Sequence, residues 1–213
     1  MKDNKMELLK KANESITRTP EELENMKKEM AFHYGNFLNA GGWDYLADPQ
    51  TEDTPNRVAK SWLNDLTVGS VTAGPKITTF PNEDKFGGIV IQSGVRVNSL
   101  CAHHNLGFYG KCAVAYLPQD KVIGLSKIDR IVVYFSRRPQ LQESLTQQIH
   151  NYMSEILECD SVAVSITSKH TCCGSRGINH PDSSMTTNSF SGKFMEPDNL
   201  VRSEFMNAIN NNQ

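Results

Sequence analysis

Ile89-Val90-Ile91-Gln92-Ser93-Gly94-Val95-Arg96-Val97, then Cys101-Ala102-His103-His104, then Leu106 through Leu117 is the stretch on which the fold turns. Ile89 to Val97 is rich in β-branched residues, and Leu106 to Leu117 reads as a long strand with Phe108, Cys112, Val114 and Tyr116 on one parity. The Cys101–His104 segment therefore sits in a hairpin-like connection between two strands. Pro118-Gln119-Asp120 reads as the next turn.

Downstream, Ile128, Ile131, Val132 and Phe135 fall at helical spacing. Pro139 is expected to halt this helix and open a second, with Leu141, Leu145, Ile149, Tyr152 and Ile156 as its buried stripe. Val162, Val164 and Ile166 then alternate as a strand, and His170 and Cys172 share their parity. Met185 to Phe190 reads as a polar strand, and a short helix is expected from near Asn199 to Ile209. The order strand-strand-helix-helix-strand-strand predicts an α+β domain with an antiparallel sheet and two helices packed on one face.

Upstream, residues 1 to about 70 read as helical. Thr19 is the expected N-cap of a helix with Pro20 at its first position, and Glu22 completes a capping box. Met26, Met30, Phe37 and Leu38 supply its apolar stripe, and Gly41-Gly42 ends it. Thr54-Pro55 starts another helix, carrying Val58, Trp62 and Leu66 along one face. The expected division is a helical extension over residues 1–72 and a catalytic domain over 73–213.

The chain has 213 residues, 38% of them hydrophobic, and a formal net charge of −2. These values describe an ordinary globular protein and disfavour a dedicated nucleic-acid binder, which carries a basic excess. No apolar run approaches a membrane span, and Met1-Lys2-Asp3-Asn4-Lys5 offers no apolar signal core, so a cytoplasmic protein is expected. The five cysteines are an odd count, which speaks against a disulfide framework. Cys112 and Cys159 read as buried small hydrophobes.

Cys101 and His104, two residues apart in between, can grip one ion from a tight loop, and Cys172 can arrive from a neighbouring strand. Three protein ligands would leave one corner of a zinc ion open for water. A structural site would recruit a fourth side chain, Cys173 for example, which strand parity disfavours. His103 and His170 are then spare imidazoles near the ion, suited to moving protons or to holding a ligand in place.

Asp53-Thr54-Pro55-Asn56-Arg57-Val58-Ala59, Cys101-Ala102-His103-His104, Val122 through Arg130, Arg138-Pro139-Gln140-Leu141-Gln142-Glu143, and His170-Thr171-Cys172 with Arg176-Gly177 together resemble GTP cyclohydrolase I. The resemblance is collinear from about residue 50 to the end. It implies a tunnelling fold (T-fold), with a four-stranded antiparallel sheet, two helices between its strand pairs, and an N-terminal helical extension. It implies a hydrolase acting on cyclic amidine C–N bonds. That enzyme converts GTP to 7,8-dihydroneopterin triphosphate and formate, by attack of metal-activated water at guanine C8, ring opening, deformylation and ribose rearrangement. It also implies a homodecamer with active sites at subunit junctions, and no nucleic-acid or membrane partner.

Carried over by position, the resemblance implies Cys101, His104 and Cys172 as Zn2+ ligands and His103 and His170 as an acid/base pair. Glu143, preceded by Gln142, would anchor guanine; Ser126, Lys127, Arg130 and Arg176 would meet ribose and triphosphate. Arg57 would reach the phosphates of a neighbouring subunit's substrate. Ala102 stands where the family usually has glutamate. Two rival readings are another enzyme of the same fold acting on pterins or deazaguanines, and a non-catalytic zinc module.

Overall fold

A computed structural model describes residues 7–197 and 200–210. The N-terminal Met1–Lys5 segment and Asn199, the expected start of the last helix, lie outside the described residues. The chain divides into two compact units, Met1–Ala73 and Gly74–Gln213.

In the first unit, α1 spans Pro20–Ala40. The capping box forms as expected: Thr19 Oγ1 accepts from Glu22 N–H, and Glu22 Oε2 accepts from Thr19 N–H at 2.7 Å. Gly41 caps the far end, and Gly42 follows at φ +88°, a conformation that costs a residue without Cβ little. The apolar stripe differs from expectation. Ala31, Gly35 and Leu38 are buried while Phe37 is exposed, because Tyr45 closes over Gly35, where a Cβ would lie 2.6 Å from its hydroxyl oxygen. Helix α2, Thr54–Ser61, continues as a π-helical turn over Trp62–Leu66 and a short α3, Val68–Val71. Its buried line is Pro55, Ala59 and Leu63; Val58, Trp62 and Leu66 lie half-buried beside it. Residues 14–18 and 43–46 are not helical, so the helical reading was too broad there, while Ala47 to Asp53 forms the non-helical polar connector that its composition predicts.

The second unit is built on strands β2 (Val90–Cys101), β3 (Gly107–Tyr116), β6 (Val162–His170) and β7 (Met185–Phe190). They pair antiparallel in that order. Helices α4 (Leu125–Ser136) and α5 (Gln142–Leu157) lie between the two strand pairs in sequence. This is the tunnelling-fold arrangement. Two small strands, β1 (Thr79–Pro81) and β4 (Lys121–Ile123), form a separate ribbon.

The chain departs from expectation at Pro139. Pro139–Gln140 is a short strand, β5, pairing parallel with Leu100 and Cys101 at the sheet edge. Proline lacks an N–H and suits an edge position. Helix α5 therefore starts at Gln142, and Leu141 is left exposed as its N-cap. Leu145, Ile149 and Met153 carry the buried stripe. The core between the sheet and these helices joins Val97, Phe108, Val114, Ile131, Leu145, Ile149 and Ile166, each fully buried. Each such side chain contributes roughly 1.5–3 kcal/mol. A second, smaller core lies on the sheet's opposite face. There Ala113, Ala115 and Ala163 meet Phe194 of a 3-10 turn (Gly192–Met195) and Phe205 and Ile209 of α7 (Leu200–Asn210). Among the described residues, no helix is long and apolar enough to cross a membrane.

Candidate metal centre and active site

β2 ends at Cys101, and the chain turns back through Ala102–Leu106 into β3. Asn105 makes the reversal at φ +53°, a left-handed conformation that asparagine tolerates. The turn is closed by Cys101 N–H donating to Leu106 O at 2.9 Å and Asn105 N–H to Cys101 O at 2.8 Å. Ala102 N–H donates to Gln140 O at 3.2 Å, so β5 braces the same turn. This places the Cys101 thiol in the core and leaves His103 and His104 exposed.

β6 brings the second half of the site. It ends at His170, and Thr171–Gly174 winds into a single helical turn, α6. The strand-parity argument for Cys172 therefore fails: Cys172 turns inward and Cys173 outward because of helical winding. Thr171 Oγ1 donates to Gly107 O at 2.6 Å and pins the turn to the start of β3.

Cys101, His170 and Cys172 offer donor atoms that all lie within 4.8 Å of one another. His104 Nδ1 lies 4.0 Å from Cys101 Sγ. Burial and the neighbouring Cys101 thiol push the Cys172 thiol up to about 11. Two thiols and an imidazole face one another, a donor set that fits a soft or borderline ion such as zinc.

His170 is held on two sides. Its ring stacks on Phe108, with centroids 4.5 Å apart and planes inclined by 8°. Its Nε2 lies 2.9 Å from Gln142 Oε1. Burial lowers the imidazole's pKa, and the Glu143 carboxylate partly offsets this. Glu143 itself is exposed in the first turn of α5.

Gln142 does not present its side chain to a ligand. It is 1% exposed, and its Nε2 faces Ile166 O at 2.9 Å, Met185 O at 3.0 Å and Thr187 Oγ1 at 3.1 Å. Ser168 Oγ donates to its Oε1. Its place in the motif was legible; its role as a brace for His170 was not, because that depends on which strands α5 packs against.

Among the described residues, the remaining candidates form no hydrogen bond to this cluster. Ser126 and Arg130 are exposed on α4, and Lys127 Nζ donates to Lys76 O at 3.4 Å. Arg176 is exposed beyond α6. Among the described residues, none of these four bonds to the cysteines, to His170 or to Glu143. Arg57 belongs to the first unit, where its Nε meets Asp53 Oδ2 at 3.1 Å.

A tunnelling-fold domain with a Cys–His–Cys cluster at the strand ends defines a class of enzymes. The GTP cyclohydrolase I family pattern matches residues 30–210. GTP cyclohydrolase 1 of Flavobacterium johnsoniae is 40% identical over 190 residues, covering 89% of this chain and 82% of that protein. GTP cyclohydrolase 1 of Haemophilus influenzae is 38% identical over 204 residues, covering 95% and 93%. GTP cyclohydrolase 1 of Serratia proteamaculans is 40% identical over 191 residues, covering 89% and 86%. A far weaker likeness, at TM-score 0.41 and 18% identity, runs over 49% of this chain and 93% of the solved structure of an archaeosine synthase QueF-like protein; it bears on neither fold nor activity. The chain belongs to the GTP cyclohydrolase I family and is an enzyme of that family.

Proposed function

We propose that this chain hydrolyses GTP to 7,8-dihydroneopterin triphosphate and formate with a zinc ion held by Cys101, His104 and Cys172. The observation that carries the reading is the convergence of Cys101, His170 and Cys172 within 4.8 Å in a member of this family. When bound, zinc supplies Lewis acidity and lowers the pKa of water toward about 7.

Two imidazoles compete for the third ligand position. Zinc–sulfur and zinc–nitrogen bonds at a tetrahedral angle put the two donors roughly 3.6 Å apart. His104 Nδ1 lies 4.0 Å from Cys101 Sγ, outside the Cys101–His170–Cys172 cluster, in an exposed turn where no other side-chain hydrogen bond holds it among the described residues. His170 is clamped by Phe108 and Gln142. We therefore assign His104 to the ion and leave His170, with His103, to move protons.

Guanine presents N1–H and its 2-amino group side by side, and the Glu143 carboxylate can accept from both. Its exposure at the first turn of α5, near His170, supports that role. A neutral His170 must take up a proton before it can give one to guanine N7, and protonating N7 is what makes C8 open to attack. Lys127, Arg130 and Arg176 supply positive charge for a triphosphate, arginine in bidentate form. Ser126 would assist ribose opening. We further propose that residues 73–213 form the catalytic domain, and that the active form is a cytoplasmic homodecamer in which Arg57 serves a neighbouring subunit's substrate.

The deciding experiment is incubation with GTP and zinc. The expected outcome is release of formate and a pterin that fluoresces after oxidation, with metal analysis of the same sample. Zinc-loaded protein that leaves GTP intact would overturn the reading.

A further inference from the structure

Strand β5 is a slender joint beside the metal centre. It pairs Leu100 with Pro139 and Cys101 with Gln140, in parallel. Only two residues take part, and Pro139 has no N–H to donate. Yet Gln140 O accepts from Ala102 N–H at 3.2 Å, which joins β5 to the turn that carries the Cys101 thiol. Helix α5, with Gln142 and Glu143 in its first turn, starts directly after it. A loose β5 would therefore loosen both halves of the site.

The Gln140 side chain supplies the strength that the pairing lacks. It is buried, and as the register partner of Cys101 it shares that residue's sheet face. Its Nε2 donates to Phe135 O, in the last turn of α4, at 2.5 Å. The same NH2 group lies 3.3 Å from Arg138 O and 3.4 Å from Ser99 Oγ. Ser99 Oγ in turn donates to Arg138 O at 3.0 Å. Turning the amide over would set its carbonyl against Phe135 O and Arg138 O, so its orientation is fixed. Oε1 is thereby left buried with no donor among the described residues.

A buried acceptor without a donor is unfavourable, and a methionine of similar length would fill the same space without one. Filling space therefore does not account for a glutamine here; its NH2 group does. We propose that Gln140 is a positioning residue of the metal centre: its NH2 group fastens β5 to the end of α4, and β5 then fixes the turn at Cys101 and Ala102. A zinc ligand must stand within about 0.2 Å of its bond length, so a loosened turn weakens the grip on the ion without removing any ligand. Gln140 acts through the backbone of Ala102. The effect on zinc rests on the reading of the site given above; the hold on the turn does not.

The test compares full-length wild type, Gln140→Met, Ser99→Ala and Phe205→Leu. Phe205 is fully buried in the core on the opposite sheet face, so its variant loses stability without touching this joint. Two quantities are read at a temperature where all four are folded. One is hydrogen–deuterium exchange of residues 100–106 after a chelator has removed zinc; the other is zinc affinity by competition with that chelator. Gln140→Met is expected to speed exchange of the segment about tenfold and to weaken zinc binding about tenfold. Ser99→Ala should move both the same way by less, and Phe205→Leu should move neither. Should Gln140→Met fail to fold, Ser99→Ala decides by the same comparison. Wild-type exchange in the joint variants, an equal rise in Phe205→Leu, or an unchanged zinc affinity overturns the proposal. A wild type that takes up no zinc removes the zinc reading instead, and the exchange comparison still decides whether Gln140 holds the turn.

Discussion

Gln142 Oε1 accepts a hydrogen bond from His170 Nε2 at 2.9 Å, and the glutamine cannot turn over to offer anything else. Its NH2 group is committed to Ile166 O, Met185 O and Thr187 Oγ1. The amide orientation is thereby set by two backbone carbonyls. His170 must carry its proton on Nε2 when neutral, which leaves Nδ1 as the basic atom.

Gln142→Ala removes this brace and takes a hydrogen-bond partner from Ile166 O, Met185 O, Ser168 Oγ and His170 Nε2, while Thr187 Oγ1 keeps Thr146 Oγ1 at 2.6 Å. The expected cost is about 2 kcal/mol of stability, read by urea denaturation. Turnover of GTP is expected to fall on the order of tenfold to a hundredfold with KM changing less. A loss carried mainly by KM would place Gln142 in direct contact with substrate instead.

The ligand set separates the two imidazoles. Cys101→Ser, Cys172→Ser and His104→Ala should each strip zinc from purified protein, measured by elemental analysis. His170→Ala should retain the metal and lose formation of dihydroneopterin triphosphate. Retention of zinc by His104→Ala together with its loss from His170→Ala would exchange the two roles.

Glu143→Gln keeps the size of an exposed side chain and so should leave the melting temperature unchanged. It replaces a carboxylate that accepts two guanine donors. The expected drop in kcat/KM is roughly tenfold to a hundredfold. Wild-type kinetics in this variant would remove Glu143 from guanine recognition.

Gly110 pairs with Ser168 where β3 and β6 leave no room for a side chain. A Cβ there would lie 2.0 Å from Thr167 O and 2.6 Å from Ser168 Cα, and both are backbone atoms that cannot swing aside. Gly110→Ala should cost about 3 kcal/mol. The same strain should disturb the site, since Gly110 pairs with Ser168 and Phe108 pairs with His170 two positions along. Thermal unfolding and zinc content measured together would show both effects; a variant as stable as wild type would mean that the strands part more easily than this packing allows.

Much of the fold was legible because local rules were obeyed along the chain. The α1 capping box, the alternation of Phe108, Cys112, Val114 and Tyr116, and the stripe of Leu145 and Ile149 are short-range patterns that burial enforces residue by residue. Where a distant segment intervened, the reading failed. Pro139 became an edge strand because β2 ends beside it, and Phe37 gave way to Gly35 because Tyr45 packs there.

The sequence by itself determined which residue types could do the chemistry: thiols and imidazoles at Cys101, His104, His170 and Cys172, and a carboxylate at Glu143. Only the tertiary structure decided their relations. It wound Cys172 inward on a helical turn, stacked His170 on Phe108, buried Gln142 as its brace, and tied Gln140 to the end of α4 beside Cys101. The reason is physical. A side chain's chemistry belongs to its own atoms, whereas its partner, protonation and exposure depend on strand register and helix packing, which join residues far apart along the chain.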